Sequence, residues 1–229
     1  MKVAGFQKNT FIDYPGKIAS IVFLGGCNMR CYYCHNSQIL TQSANSIDFD
    51  EVLEQIKKQK GFIDGVVISG GEPTLHPNLL EIIRAIKELD LLVKLDTNGA
   101  EPELLKQLVN DGLVDYVAMD VKAPLGRYAD IVGTGIDITK VEESIKFLKG
   151  QTKVDYMFRT TLAPMLVEDD ILLMAQLLKG SKTFQLQQFV PNEFSNSQKI
   201  IRLPYKQEDA KKFAVFFAKY IDNVLLRGW

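Results

Sequence analysis

"GGCNMRCYYCHN", residues 25–36, contains every cysteine of a 229-residue chain: Cys27, Cys31 and Cys34 fall within eight positions, and the other 217 residues hold none. The stretch follows the apolar run Ala19 to Leu24, so it hangs as a loop from the end of a candidate strand. A glycine-rich, polar loop is a poor place for three buried structural cysteines. An odd number of clustered thiols is also no disulfide framework. A structural zinc site takes four ligands; His35 is a sterically awkward fourth beside Cys34, and the other histidine is His76. A cluster of four irons held by three thiolates instead leaves one iron without a protein ligand, open to a small molecule.

The chain around this loop is balanced in charge, with 27 basic and 28 acidic residues, which gives no bulk reason to expect a nucleic-acid or membrane-surface partner. The N-terminus lacks the apolar core of a secretory signal, and apolar runs such as Ile18 to Leu24 are too short to span a bilayer. We therefore expect a cytoplasmic protein, in a compartment that keeps thiols reduced. With 46% hydrophobic residues the chain can bury a sizeable core. Short apolar, β-branched runs recur at Ala19 to Leu24, Gly65 to Ser69, Leu91 to Asp96, Tyr116 to Val121, Val154 to Leu162 and Phe184 to Val190. Between them apolar residues at three and four spacing, such as Phe49, Val52, Leu53 and Ile56, predict helices. Further helices are expected near 101–110, 139–149, 167–179 and 207–226. Strand and helix alternate six times, which implies a parallel sheet in a (β/α) barrel or a doubly wound fold. No linker divides it, so residues 1–229 are expected to form a single domain.

Ligands of parallel α/β folds bind at the carboxyl ends of the strands. After the cysteine loop those ends carry Gly70-Gly71-Glu72-Pro73, then Asp96-Thr97-Asn98-Gly99, then Asp120-Val121-Lys122, then Arg159, and finally Gln187, Gln188, Val190 and Asn192. Polar and glycine residues thus collect at one rim of an apolar barrel. Lys122, two residues after Asp120 in an extended strand, points to the same side.

Cys27-x3-Cys31-x2-Cys34, with the aromatic Tyr33 before the last cysteine, is similar to the signature of radical S-adenosylmethionine (radical SAM) enzymes. Gly70-Gly71-Glu72-Pro73 resembles the GGEP element of that family, which meets the amino group of the methionine moiety. The resemblance implies a partial (β/α)6 barrel of parallel strands with outer helices. It implies a 4Fe-4S cluster on Cys27, Cys31 and Cys34, with S-adenosylmethionine chelating the open iron and reductively cleaved to a 5′-deoxyadenosyl radical. Its SAM-binding residues would be Tyr33, His35, Gly70, Gly71, Glu72, Asp96, Asn98, Asp120, Lys122 and Arg159. No catalytic side chain is implied beyond the cluster and SAM sites.

Two further segments resemble the activating enzymes of glycyl radical enzymes: Cys34-His35-Asn36, and Thr10-Phe-Ile-Asp13-Tyr-Pro15-Gly16 just before the first strand. With Met119-Asp-Val-Lys122, the match is nearest to activating proteins of anaerobic ribonucleoside-triphosphate reductase. That likeness implies a protein substrate, a glycyl radical enzyme whose glycine loop Asp13 contacts. It implies flavodoxin or ferredoxin as electron donor, since three cysteines support one cluster at most. Many activases carry a histidine after the last strand, where this chain has Gln187, Gln188, Val190 and Asn192. The competing readings are an enzyme like 7-carboxy-7-deazaguanine synthase and a non-catalytic iron–sulfur or zinc protein.

Overall fold

The computed structural model describes residues 1–40, 46–191 and 203–229. The strands are β1 (Lys2–Val3), β2 (Gly5–Thr10), β3 (Ala19–Leu24), β4 (Ile47–Asp48), β5 (Gly65–Gly70), β6 (Leu92–Thr97), β7 (Tyr116–Asp120), β8 (Asp155–Leu162), β9 (Thr183–Gln188) and β10 (Asn223–Arg227). The helices are α1 (Phe49–Lys57), α2 (Leu79–Lys87), α3 (Pro102–Asn110), α4 (Tyr128–Val132), α5 (Ile138–Lys149), α6 (Glu168–Leu177) and α7 (Gln207–Phe217). Asn192 lies outside the described residues.

The apolar stripes sit where their spacing puts them. Phe49, Val52 and Ile56 of α1 and Leu79, Ile82, Ile83 and Ile86 of α2 are buried, and the Asp48 side chain caps α1 by accepting from the amide of Asp50. β1 and β4 form a small antiparallel ribbon. The main sheet runs β10-β9-β8-β7-β6-β5-β3-β2, with β2 antiparallel to β3 and every other neighbouring pair parallel. It curls far enough for an ion pair to bridge its two ends: Arg227, at the end of β10, places Nη2 2.6 Å from Oδ1 of Asp13, just past β2. This is a partial barrel of parallel strands with outer helices.

Side chains two apart on a strand share a face, and residues paired in register share it too. The outward face is mostly apolar, with Val66, Ile68, Val93, Leu95, Val117, Met119, Phe158, Phe184 and Leu186 buried beneath the helices. The inward face changes along its length. Its lower end is closed by Tyr14, Ala19, Ile21 and Val67, against which Phe23, Leu92 and Tyr116 pack. Its upper end is polar, with Ser69, Asp96, Asp120, Arg159 and Gln187 lining a shared cavity. The apolar floor excludes water below and leaves the charges one open end.

Three elements differ from the sequence expectation. The helix expected over 207–226 ends at Phe217, and 223–227 forms a seventh parallel strand on the edge of the sheet. Ala218 to Asp222 turn the chain, and Val224, Leu225 and Leu226 then gain backbone hydrogen bonds from β9 that a helix extension would not give. The antiparallel β2, whose Gln7 and Lys8 are exposed, carries no apolar run to announce it. The five-residue α4 is too short for a periodic signal.

Candidate active site

Cys27, Cys31 and Cys34 all line one cavity of about 390 Å³ at the carboxyl ends of the strands. A larger hollow of about 660 Å³ lies elsewhere, beside Tyr32, Arg127 and Met165, and none of the three cysteines lines it. The cysteine loop is held from behind by α4 and the residues after it. The Arg30 amide donates to the Val132 carbonyl at 2.8 Å, and Thr134 Oγ1 donates to the Asn28 carbonyl at 3.1 Å. Gly133, at φ +70°, fits under the loop because a Cβ there would stand 2.6 Å from the Arg30 carbonyl oxygen. The Arg30 guanidinium donates to the carbonyls of Cys27 and Met29, so it braces the loop that carries the thiols. Burial pushes the Cys31 thiol up to about 11 and raises Cys27 and Cys34 as well. Three desolvated thiols facing one space are a donor set that favours a positively charged occupant, because metal binding displaces their protons. Among the described residues, no three His, Cys, Asp or Glu side chains converge on a single ion, as a mononuclear zinc site requires. The Tyr33 hydroxyl, buried beside Cys31, has no hydrogen-bond partner among the described residues.

The Gly70-Gly71-Glu72-Pro73 segment is zipped to the cysteine loop. The Gly71 amide donates to the Leu24 carbonyl at 2.9 Å and the Glu72 amide to the Gly26 carbonyl at 2.8 Å. A Cβ on Gly71 would lie 2.0 Å from the Gly26 oxygen, so glycine is required here by the chain's own backbone. Asn36 Nδ2 donates to the Gly70 carbonyl at 3.0 Å and ties the last turn of the loop to the same segment. Glu72 is buried, and its carboxylate is occupied: it accepts from the Thr74 amide and hydroxyl, Thr97 Oγ1 at 2.7 Å and the Asn98 amide at 2.6 Å. Burial raises its pKa against those four donors. It therefore splices the ends of β5 and β6, and Asn98 in turn reaches Asn28 of the cysteine loop through Nδ2 at 2.8 Å.

Opposite the cysteines lies a chain of buried charges. Arg159 donates through Nε to Asp120 Oδ1 at 2.8 Å and through Nη1 to Asp96 Oδ2 at 3.1 Å. Asp96 also accepts from Ser69 Oγ and pairs with Lys94; Asp120 also accepts from Lys122 Nζ at 2.9 Å. Burial alone would raise both carboxyl groups, but the adjacent Arg159, Lys94 and Lys122 outweigh it and hold them below the usual range. Burial alone would likewise lower Lys122, but Asp120, Tyr33 and Cys31 keep it firmly cationic. Tyr128, from α4, accepts from the Lys122 amide at 3.0 Å.

All the residues named from the sequence for this site line the one cavity: Tyr33, His35, Gly70, Gly71, Glu72, Asp96, Asn98, Asp120, Lys122, Arg159 and Asp13. His35 sits edge-on to Phe189 with ring centroids 6.4 Å apart, and burial lowers its pKa. Asp13 enters from the opposite end of the strands, held by Thr10 Oγ1 and by Arg227. Sequence reasoning missed Lys94, Tyr128 and Arg227. Lys94 was legible in principle, since it lies two residues before Asp96 on the inward face.

An α/β partial barrel with three thiols at one rim and a buried charge relay facing them defines a class of enzyme rather than one activity. The profile of the radical SAM superfamily matches residues 21–178, and the chain belongs to that family. It is a radical SAM enzyme, of a family that uses a 4Fe-4S cluster and S-adenosylmethionine. A Methanocaldococcus jannaschii protein provisionally named as a glycyl-radical enzyme activating enzyme is 36% identical over 231 residues, covering 98% of this chain and 95% of its own. The pyruvate formate-lyase-activating enzyme of Clostridium pasteurianum is 26% identical, over 91% of this chain and 90% of that one. A GTP 3′,8-cyclase-like protein of Methanococcus maripaludis is 28% identical, over 86% of this chain and 67% of that one. Streptococcus suis SuiB with bound S-adenosylmethionine superposes on 89% of this chain and 48% of its own, with a TM-score of 0.68 at 14% identity, a likeness of fold. Among the described residues no helix is long and apolar enough to cross a membrane.

Proposed function

We propose that the chain is an activase that installs a glycyl radical on a partner enzyme, and that this partner is an anaerobic ribonucleoside-triphosphate reductase. The observation that carries the reading is the joint placement of Asp13 and the three cysteines on one cavity. The full-length match to the M. jannaschii protein and the match to the pyruvate formate-lyase activase support it. Asp13, within the segment Thr10 to Gly16, lines the cavity, which supports a protein substrate over a deazaguanine synthase-like reaction.

In this reading residues 1–229 work as one radical SAM domain. Cys27, Cys31 and Cys34 hold the cluster, whose fit rests on the three partly buried thiols facing one cavity and on the Tyr33 hydroxyl beside them, unpartnered among the described residues. With S-adenosylmethionine bound, the cofactors supply one-electron cleavage of the S–C5′ bond, giving methionine and, after hydrogen abstraction, 5′-deoxyadenosine. The protein's part is orientation and exclusion of water. Lys122 and Arg159 present cations to the methionine carboxylate, and Asp120 and Asp96 keep those cations aimed. Glu72 is fully engaged within the chain, so it acts on the ligand by fixing the Gly70-Gly71 backbone and Asn98. Asp13 meets the glycine loop of the partner, where near contact between the reacting carbons is needed. An external donor, flavodoxin or ferredoxin, supplies the electron in the cytoplasm.

Incubation of the reduced, cluster-loaded protein with S-adenosylmethionine and an anaerobic ribonucleotide reductase should give a glycyl radical doublet in electron paramagnetic resonance. Asp13→Ala should lower that yield by about ten-fold while changing S-adenosylmethionine affinity far less, since the lost contact is to substrate. Turnover of 6-carboxytetrahydropterin, with no radical on any glycyl enzyme, would replace the reading with a deazaguanine synthase.

A further inference from the structure

Gln185 is more than nine-tenths buried, and among the described residues its Nε2 has no hydrogen-bond partner. An amide donor left unpaired away from water is a standing destabilisation, and such groups persist where a ligand supplies the acceptor. The strand register fixes where it points. Gln185 pairs with Arg159 of β8 on one side and Leu225 of β10 on the other, so the three share a face. Arg159 and Gln187 on that face line the cavity, so Gln185 faces inward, one pleat below Gln187.

Its surroundings say what kind of acceptor can arrive. Beyond Leu225 the sheet has its β10 edge, whose outer backbone groups face the seam between β10 and β2. The ion pair of Asp13 and Arg227 crosses that seam. Leu225 is 39% exposed, and Phe11 and Ile12, next to Asp13, are 66% and 71% exposed. An inward donor, a strand edge that no described strand pairs and exposed apolar side chains are what an extended polypeptide needs: a carbonyl for the donor, main-chain pairing with the edge and cover for the apolar groups.

We infer that Gln185 is a substrate-binding residue that donates to a main-chain carbonyl of the polypeptide segment entering between β10 and β2. The inference rests on the proposed activase function and adds the place where the substrate backbone is gripped. Arg227 and Asp13 part as the segment enters, and both are then available to its peptide groups.

The test compares wild type with Gln185→Leu, which keeps side-chain volume and removes the donor, and with Gln185→Met as a second variant should the first fold poorly. Each is loaded with cluster, and S-adenosylmethionine affinity, partner-independent 5′-deoxyadenosine formation and the dependence of glycyl radical yield on partner concentration are measured. The expected result is a rise of about ten-fold in the partner concentration for half-maximal radical, the size of one lost buried hydrogen bond. Affinity for S-adenosylmethionine and partner-independent cleavage should stay at wild-type levels. A parallel loss of S-adenosylmethionine binding would overturn the inference by making Gln185 a cofactor contact. No change in any readout would overturn it by leaving the donor to water. Failure of the wild type itself to radicalise any glycyl enzyme would overturn the function and this inference together, and needs no variant to be seen.

Discussion

Replacing Cys31 by alanine should take the reconstituted protein from about four irons and four sulfides per chain to none. The three thiols are the only cysteines the chain has, so no spare ligand can migrate into the gap. Burial raises the Cys31 thiol to about 11, so a proton leaves it most readily when a metal takes its place. The loop should survive without the thiol. Its frame is made of contacts that do not use the Cys31 side chain: Arg30 to Val132, Thr134 to Asn28 and Asn36 to Gly70. The variant is therefore expected to fold, to show wild-type circular dichroism and to lack the visible absorption of an iron–sulfur cluster. A Cys31→Ala protein that still binds four irons would contradict the assignment, as would stoichiometric zinc in the native protein.

Arg159→Met should destabilise the cluster-free protein by roughly 3 kcal/mol, the scale for removing one member of a buried ionic network. Arg159 is the group that Asp96 and Asp120 share. Without it two buried carboxylates face each other, one left with Lys94 and Ser69 and the other with Lys122. Methionine fills much of the volume but supplies no charge. Denaturant titration followed by circular dichroism reads the change. Lys106, which bridges the solvent-facing carboxylates of Glu103 and Glu143, provides the control, since Lys106→Met should leave the midpoint nearly in place. A wild-type midpoint for Arg159→Met would mean that the relay is not what holds the upper barrel together.

How much of this was legible in the sequence follows from the range over which each contact acts. The cysteine loop and the rim residues were readable because each sits within a few positions of a strand end, and strand ends announce themselves by a change from apolar to polar. Asp96, Asp120 and Lys122 needed only the two-residue repeat to share a face. The use made of Glu72 and Asp96 was not readable: both looked like ligand contacts, and both spend their oxygens on partners within the chain. Thr74 and Lys94 lie two positions away, but Thr97, Asn98, Ser69 and Arg159 are 25 to 63 positions away, and only the register of the sheet reveals them. The pair of Asp13 and Arg227 spans 214 positions and exists because the sheet curls. β10 was hidden by the amphipathic helix before it, and α4 by its length, although α4 braces the whole cysteine loop.

The account stands or falls on whether this cavity brings S-adenosylmethionine to a reducible cluster. The direct measurement is anaerobic incubation of the reconstituted protein with dithionite and S-adenosylmethionine, followed by chromatography of the products. The account predicts methionine and 5′-deoxyadenosine in equal amounts, absent from the Cys31→Ala protein. A fully loaded, fully reduced cluster that leaves S-adenosylmethionine intact would contradict it.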